Sequence, residues 1–152
     1  MYKKYTGIGS RKIPKEKQDQ LSKIALILEK KGYQVYTGDA HGSDESFRVV
    51  KNKKVFTAKD CTVESMEIAK RIHPSWERCS SFARKLLGRN PLQLLGYDLK
   101  SPTSFVVAYT PQGTIKGGSS IVLNLAKENN IPVFNIGNEE ELKKLIKFLK
   151  TL

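Results

Sequence analysis

The chain has little cysteine, histidine or tryptophan: two, two and one among 152 residues. Cys61 and Cys79 belong to no metal-type cluster, so they read as reduced thiols that pack like ordinary small side chains. A chain of this length needs no disulfide to fold, and spacing alone leaves a pairing between the two open. This cysteine usage suits a cytoplasmic protein. His41 and His73 lack a metal-type partner spacing, so no metal site is expected. No apolar run reaches the roughly 18 residues of a membrane-spanning helix, and no membrane partner is expected. The basic start Met1-Tyr2-Lys3-Lys4-Tyr5 is followed by no apolar stretch, so a secretory signal is not expected. There is no Gly-x-Ser-x-Gly elbow and no Gly-x-x-x-x-Gly-Lys-Ser/Thr loop, which removes the commonest hydrolase and nucleotide-hydrolase signatures. Internal repeats, low-complexity tracts and linkers are also missing, so residues 1–152 are expected to form a single domain.

Positive charge is what the chain has in excess. Twenty-seven Lys and Arg stand against fifteen Asp and Glu, a formal net charge of +12. Such a chain attracts polyanions and phosphorylated ligands. The lysines are scattered over presumed helix faces and chain ends, as in Lys12 to Lys17, Lys51 to Lys54 and Lys143 to Lys150, and do not mark out one stripe.

Short β-type runs alternate with helical patterns. Lys4 to Ile8 reads as a first strand. Leu21, Ile24, Ala25 and Leu28 fall at i, i+3, i+4 and i+7, which predicts an amphipathic helix over about residues 16–31, stopped at Gly32. Tyr33 to Thr37 is a second strand, Lys54 to Thr57 a third. Ser43 reads as a helix N-cap, with Asp44 and Glu45 in the first turn. Residues 63–100 are mostly helical, with Thr62 as a cap, an interruption at Pro74, a stop at Gly88 and a short turn of helix opened by Pro91 towards Leu95. Ser104 to Tyr109 looks like a strand buried on both faces, and Pro132 to Ile136 like the last strand. Ser119 or Ser120 caps one late helix, and Asn138 with Glu141 forms a capping pattern for the other. The fold class is therefore α/β: a Rossmann-like three-layer domain, with a mostly parallel sheet of about five strands and helices on both faces.

In such sheets ligands bind at the carboxyl ends of the strands. Three glycine-rich segments fall there, where backbone N–H groups and helix starts favour an anion. The first supplies Thr6, Gly7, Gly9, Ser10 and Arg11, the second Gly38, Gly42, Ser43 and Asp44, and the third Gly117, Gly118, Ser119 and Ser120, with Lys116 adding charge. Arg89 and Asn90 can reach a phosphate or a base edge. Trp76 packs on a core or serves as a stacking platform. Asp44 and Glu45 are the candidates for an acid or base, although the residues alone assign no reaction.

In order, these segments resemble the SLOG superfamily of Rossmann-like domains, which includes the DNA-processing DprA/Smf proteins and the Lonely Guy phosphoribohydrolases. The likeness rests on Thr6-Gly7-Ile8-Gly9-Ser10-Arg11, Gly38-Asp39-Ala40-His41-Gly42-Ser43-Asp44, Arg89-Asn90, Gly113 through Ser120, and Ile131-Pro132-Val133-Phe134-Asn135-Ile136. It covers nearly the whole chain and implies a minimal form of the Rossmann core, without the flanking domains of full-length DprA. The resemblance implies a nucleotide or single-stranded nucleic acid as partner, with DprA-like binding of single-stranded DNA as one form and no obligatory cofactor. Lonely Guy enzymes carry a catalytic glutamate after their Pro-Gly-Gly-x-Gly-Thr motif. The stretch Thr110 to Ser120 has none, so that residue does not carry over. Two alternatives remain: cleavage or transfer at a nucleoside or nucleotide N-glycosidic bond, assisted by Asp44 or Glu45, and sequestration of a signalling nucleotide. Domains of this kind often pair through helices, and residues 63–87 carry apolar side chains that suit a homo-oligomer face.

Overall fold

The computed structural model describes residues 3–115 and 119–152; Lys116, Gly117 and Gly118 of the third glycine segment lie outside the described residues. Five strands form one all-parallel sheet: β1 (Lys4–Gly9), β2 (Gln34–Gly38), β3 (Lys53–Phe56), β4 (Val106–Tyr109) and β5 (Val133–Asn135). Their order is β3-β2-β1-β4-β5. The chain winds outward from β1 in one direction, then returns to β1 and winds in the other. The two halves meet between β1 and β4, where Ile8 pairs with Ala108 and Gly9 with Tyr109. This is a doubly wound Rossmann-like arrangement, and its switch point opens a crevice beyond the carboxyl ends of β1 and β4.

Helices α1 (Lys15–Lys30), α2 (Ser43–Phe47) and α7 (Glu139–Leu149) cover one face. The predicted stripe Leu21, Ile24, Ala25 and Leu28 is buried along α1, against Tyr5, Val35, Phe105 and Val107 of the sheet side. The other face carries α3 (Val63–Ile72), α5 (Asn90–Leu95) and α6 (Ser120–Glu128), with α4 (Ser81–Gly88) packed on α3. β4 shows why its sequence is apolar throughout. Val107 and Tyr109 enter the first core, Val106 and Ala108 the second, so no polar position remains. Trp76 is buried against Ala69 and Ile121, and Arg84 stands over its ring at 5.4 Å. It is a packing residue under a cation, not an open stacking platform.

Several boundaries differ from the sequence expectation. The helical stretch 63–100 is broken into α3, α4, α5 and a short 3₁₀ turn at Trp76–Arg78. Ser43 is not the N-cap of α2. Gly42 holds that position, and the Ser43 hydroxyl donates instead to the Ser10 carbonyl at 2.7 Å. Ser119 precedes α6, but its side chain makes no capping hydrogen bond. Asn138 does cap α7, accepting from the N–H groups of Glu140 and Glu141. The Glu141 carboxylate does not complete the box; it accepts from Asn135 N–H at 3.1 Å, which satisfies a donor on β5. Thr62 caps α3 as expected, accepting from Ser65 N–H at 3.0 Å.

Gly7 is a packing glycine. A Cβ there would lie 2.5 Å from the ring of Phe47, which is fully buried. Gly7→Ala should therefore cost about 1–3 kcal/mol through overpacking. Urea unfolding measures this, and an unchanged midpoint would show that the Phe47 ring moves freely.

Candidate functional site: a cleft at the switch point

A cleft of about 650 Å³ opens where β1 and β4 diverge. That size falls within the roughly 300–1,000 Å³ of ordinary small-ligand sites. Four kinds of surface meet in it. Ile8, Leu86, Leu87 and Val122 make an apolar wall. Arg11 and Lys12, both exposed, stand at its rim with Ser10 after β1. Asp44, Arg89, Asn90 and Gln93 supply the polar floor. Gln112, Thr114 and Ser119 close the side that follows β4.

The floor is unusual because it is polar and buried at once. Asp44 is 4% exposed, Arg89 6% and Gln93 2%. Arg89 donates to the Asp39 carboxylate, and its Nη2 lies 4.0 Å from Asp44 Oδ2. Ala40 N–H donates to the same Asp44 oxygen at 3.3 Å. Burial pushes the Asp44 carboxyl up to about 6, against the pull of Arg89 and the Ala40 hydrogen bond. Desolvation thus outweighs the guanidinium, as happens when a charge pair sits too loosely to replace water. Arg89 Nε is buried with no partner among the described residues. Buried polar groups in this state call for an explanation, and a functional role is one of the standard ones. Gly38 makes the arrangement sterically feasible. A Cβ at that position would meet Gln93 Nε2 and lie 2.6 Å from Asp44 Oδ2.

The candidate residues divide clearly. Gly9, Ser10, Arg11, Asp44, Arg89, Asn90 and Ser119 line the cleft together. Thr6 does not. Its hydroxyl is buried under the sheet, donating to the Gln93 carbonyl at 2.7 Å and paired with Thr103. Gly7 faces Phe47, and Gly38 lies directly beneath the floor. Gly42 and Ser43 serve the frame. Gly42 has φ +78° and packs on the Arg11 backbone, while Ser43 N–H and hydroxyl both donate to the Ser10 carbonyl. Ser120 begins α6 and is not among the cleft residues. Glu45, the other acid candidate, points away. It is exposed, accepts from Gly42 N–H at 2.7 Å, and lies 3.6 Å from His41. The Gly42 N–H holds its carboxyl below the usual carboxylate range.

Sequence reasoning missed Gln93, Lys12, Gln112 and Arg48. Gln93 carried a signal: a single amide inside the apolar run Pro91-Leu92-Gln93-Leu94-Leu95 is a buried polar group in need of a reason. Arg48 stands four residues after Asp44, on the same helical face. Gln112 carried none; its backbone adopts φ 58° in the turn Pro111–Gly113 at the cleft edge.

No family model matches the chain, and no curated protein matches it by sequence. Among solved structures it is similar to DNA processing protein A from Helicobacter pylori, described for its single-stranded DNA binding mode. The TM-score is 0.58 at 18% identity, over 88% of this chain and 64% of that one. The chain thus spans less than two thirds of the length of that protein. At this identity the likeness is one of fold. Among the described residues no helix is long and apolar enough to cross a membrane, and no group of three His, Cys, Asp or Glu could hold a metal ion.

Proposed function

We propose that the switch-point cleft binds one nucleotide unit. The phosphate sits at the Ser10-Arg11-Lys12 rim and the ribose or base reaches the buried floor. The observation that carries this reading is the convergence of two exposed cations with four buried polar side chains in one partly apolar cleft. A bare phosphate site would need no apolar wall and no buried amide. The net charge of +12 and the binding of single-stranded DNA by the Helicobacter protein favour a nucleotide presented within a single strand.

The test is thermal unfolding against nucleoside mono- and triphosphates and short single-stranded DNA, at two salt concentrations. A ligand at 100 times its Kd should add about 2.7 kcal/mol of stability. Stabilisation by DNA that collapses at high salt supports the strand reading, because several phosphates are then engaged. A shallow salt response with a mononucleotide favours a free nucleotide. Arg11→Glu should weaken either ligand by roughly 10- to 100-fold, the value of a charge-assisted contact, without altering the fold. Full affinity in that variant would remove the phosphate from the rim.

A second reading is cleavage or transfer at an N-glycosidic bond, with Asp44 as the acid or base. Its support is the Asp44 carboxyl pushed to about 6 inside the cleft, the range in which a carboxyl group can trade a proton near neutral pH. Glu45 has no part in it, being tied to Gly42 outside the cleft. Release of free base from nucleoside monophosphates, lost in Asp44→Asn, would support this reading. Binding without release leaves the first.

A further inference from the structure

The loop after β2 is gripped by three side chains of the segment that follows it. Asp44 accepts from Ala40 N–H, and Glu45 from Gly42 N–H. Arg48, just past the end of α2, donates through Nη1 to the carbonyls of both Gly38 and Ala40, each at 2.8 Å. These carbonyls bracket Asp39. Holding both limits the rotation of the peptide between Asp39 and Ala40, whose N–H is the one donated to Asp44. The Asp39 side chain is in turn the partner of Arg89. Arg48 itself is not among the cleft residues.

We propose that Arg48 is a positioning residue. By holding the carbonyls of Gly38 and Ala40 it aims the Ala40 N–H at Asp44 and keeps Asp39 on Arg89, so that the cleft floor is assembled before any ligand arrives. Two hydrogen bonds from one cationic nitrogen suit this task, since each is charge-assisted and the planar guanidinium loses little freedom in making them. The charged groups that act on Asp44 are Arg89 from the start of α5, Arg48 from the end of α2 and Asp39 from the loop. Arg48 therefore acts on Asp44 in two separable ways, through its charge and through the loop it holds.

The two are separated in the free protein, so the result does not depend on what the cleft binds. The Asp44 carboxyl and the Ala40 amide are followed by NMR across pH 4–8 in the wild type, in a semisynthetic Arg48→citrulline protein and in Arg48→Met. In the wild type the Ala40 amide should titrate with Asp44. Citrulline keeps an NH2 of the same reach, able to donate to both carbonyls, but removes the charge. The Asp44 midpoint should rise by roughly one pH unit while Ala40 still follows it. Arg48→Met removes both, and the Ala40 amide should lose its response to Asp44. If Ala40 follows Asp44 undiminished in Arg48→Met, Arg48 lends only charge and the proposal is overturned. A measurement on the wild type covers the case in which that variant does not fold. Slowed rotation and hydrogen exchange of the Arg48 guanidinium protons support the clamp, and rates like those of a free surface arginine overturn it.

Discussion

Gly42→Ala should destabilise the protein by about 4 kcal/mol and disorder the rim of the cleft, because two costs add at one position. Gly42 has φ +78°, a region that side chains other than glycine rarely adopt. A Cβ would also overlap the carbonyl of Arg11 and come within 2.8 Å of its Cα. These are backbone atoms, so no rotamer change relieves the clash. The Arg11 backbone is held in place from the other side, since Ser10 N–H donates to the Tyr109 carbonyl and Ser10 accepts from Ser43. The strain must therefore move either β1's exit or the start of α2. Gly32→Ala provides the comparison. It has φ +90°, but the nearest atom to its added Cβ is Lys3 Cδ at 3.9 Å, an ordinary contact, so only the backbone cost of about 1–2 kcal/mol remains. Urea unfolding of the two variants measures the difference. Equal losses would mean that the contact between the first and second loops is slack.

Asp44→Asn should make the protein more stable above neutral pH and less sensitive to pH below it. The carboxyl titrates at about 6 in the folded chain, raised from 3.8 by burial. Well below pH 3.8 it is neutral in both states and contributes no difference. As the pH rises from about 4 to about 6, the unfolded chain ionises first, and stability falls across that window. Above it the loss levels off at about 3 kcal/mol. Asparagine keeps an oxygen for the Ala40 N–H and never ionises, so this loss disappears. Unfolding free energies of both proteins at pH 4.5 and pH 7.5 give the result as a difference of differences. Parallel pH profiles would show that Arg89 fully compensates the buried charge. A residue that weakens its own fold at neutral pH belongs to the kind of site where stability is given up for function.

Much of the frame was legible in the sequence. The apolar run at Ser104 to Tyr109 implied a strand buried on both faces, and β4 packs into both cores. The stripe on α1 and the alternation of strands with helices led to a parallel sheet, and the sheet order is that of a doubly wound fold. The cleft was legible only in part. Arg11, Asp44 and Arg89 stand out as charged residues at strand ends or helix starts. Which glycines face a ligand and which face a ring was not readable, because the pattern Gly7-x-Gly9 is the same whether Phe47 or a phosphate lies above it. Ser43 and Glu45 misled for a related reason. Side chains that favour a helix start also bond well to neighbouring loops, and here each holds a backbone group. The spacing of Arg48 from Asp44 was legible, but its grip on the loop was not, because its two acceptors are carbonyls, which no side-chain pattern reports.

The most direct test of the account is to titrate the protein with a nucleoside monophosphate and with a short single-stranded DNA while following its backbone and side-chain amide resonances. The account predicts that the perturbed signals cluster at Ser10, Arg11, Lys12, Arg89, Gln93, Gln112 and Ser119, around the switch between β1 and β4. It also predicts that the Gln93 side-chain amide is among them, because a ligand that reaches the floor must meet it. Perturbations confined to scattered surface lysines, with the Gln93 amide unmoved at saturation, would contradict it.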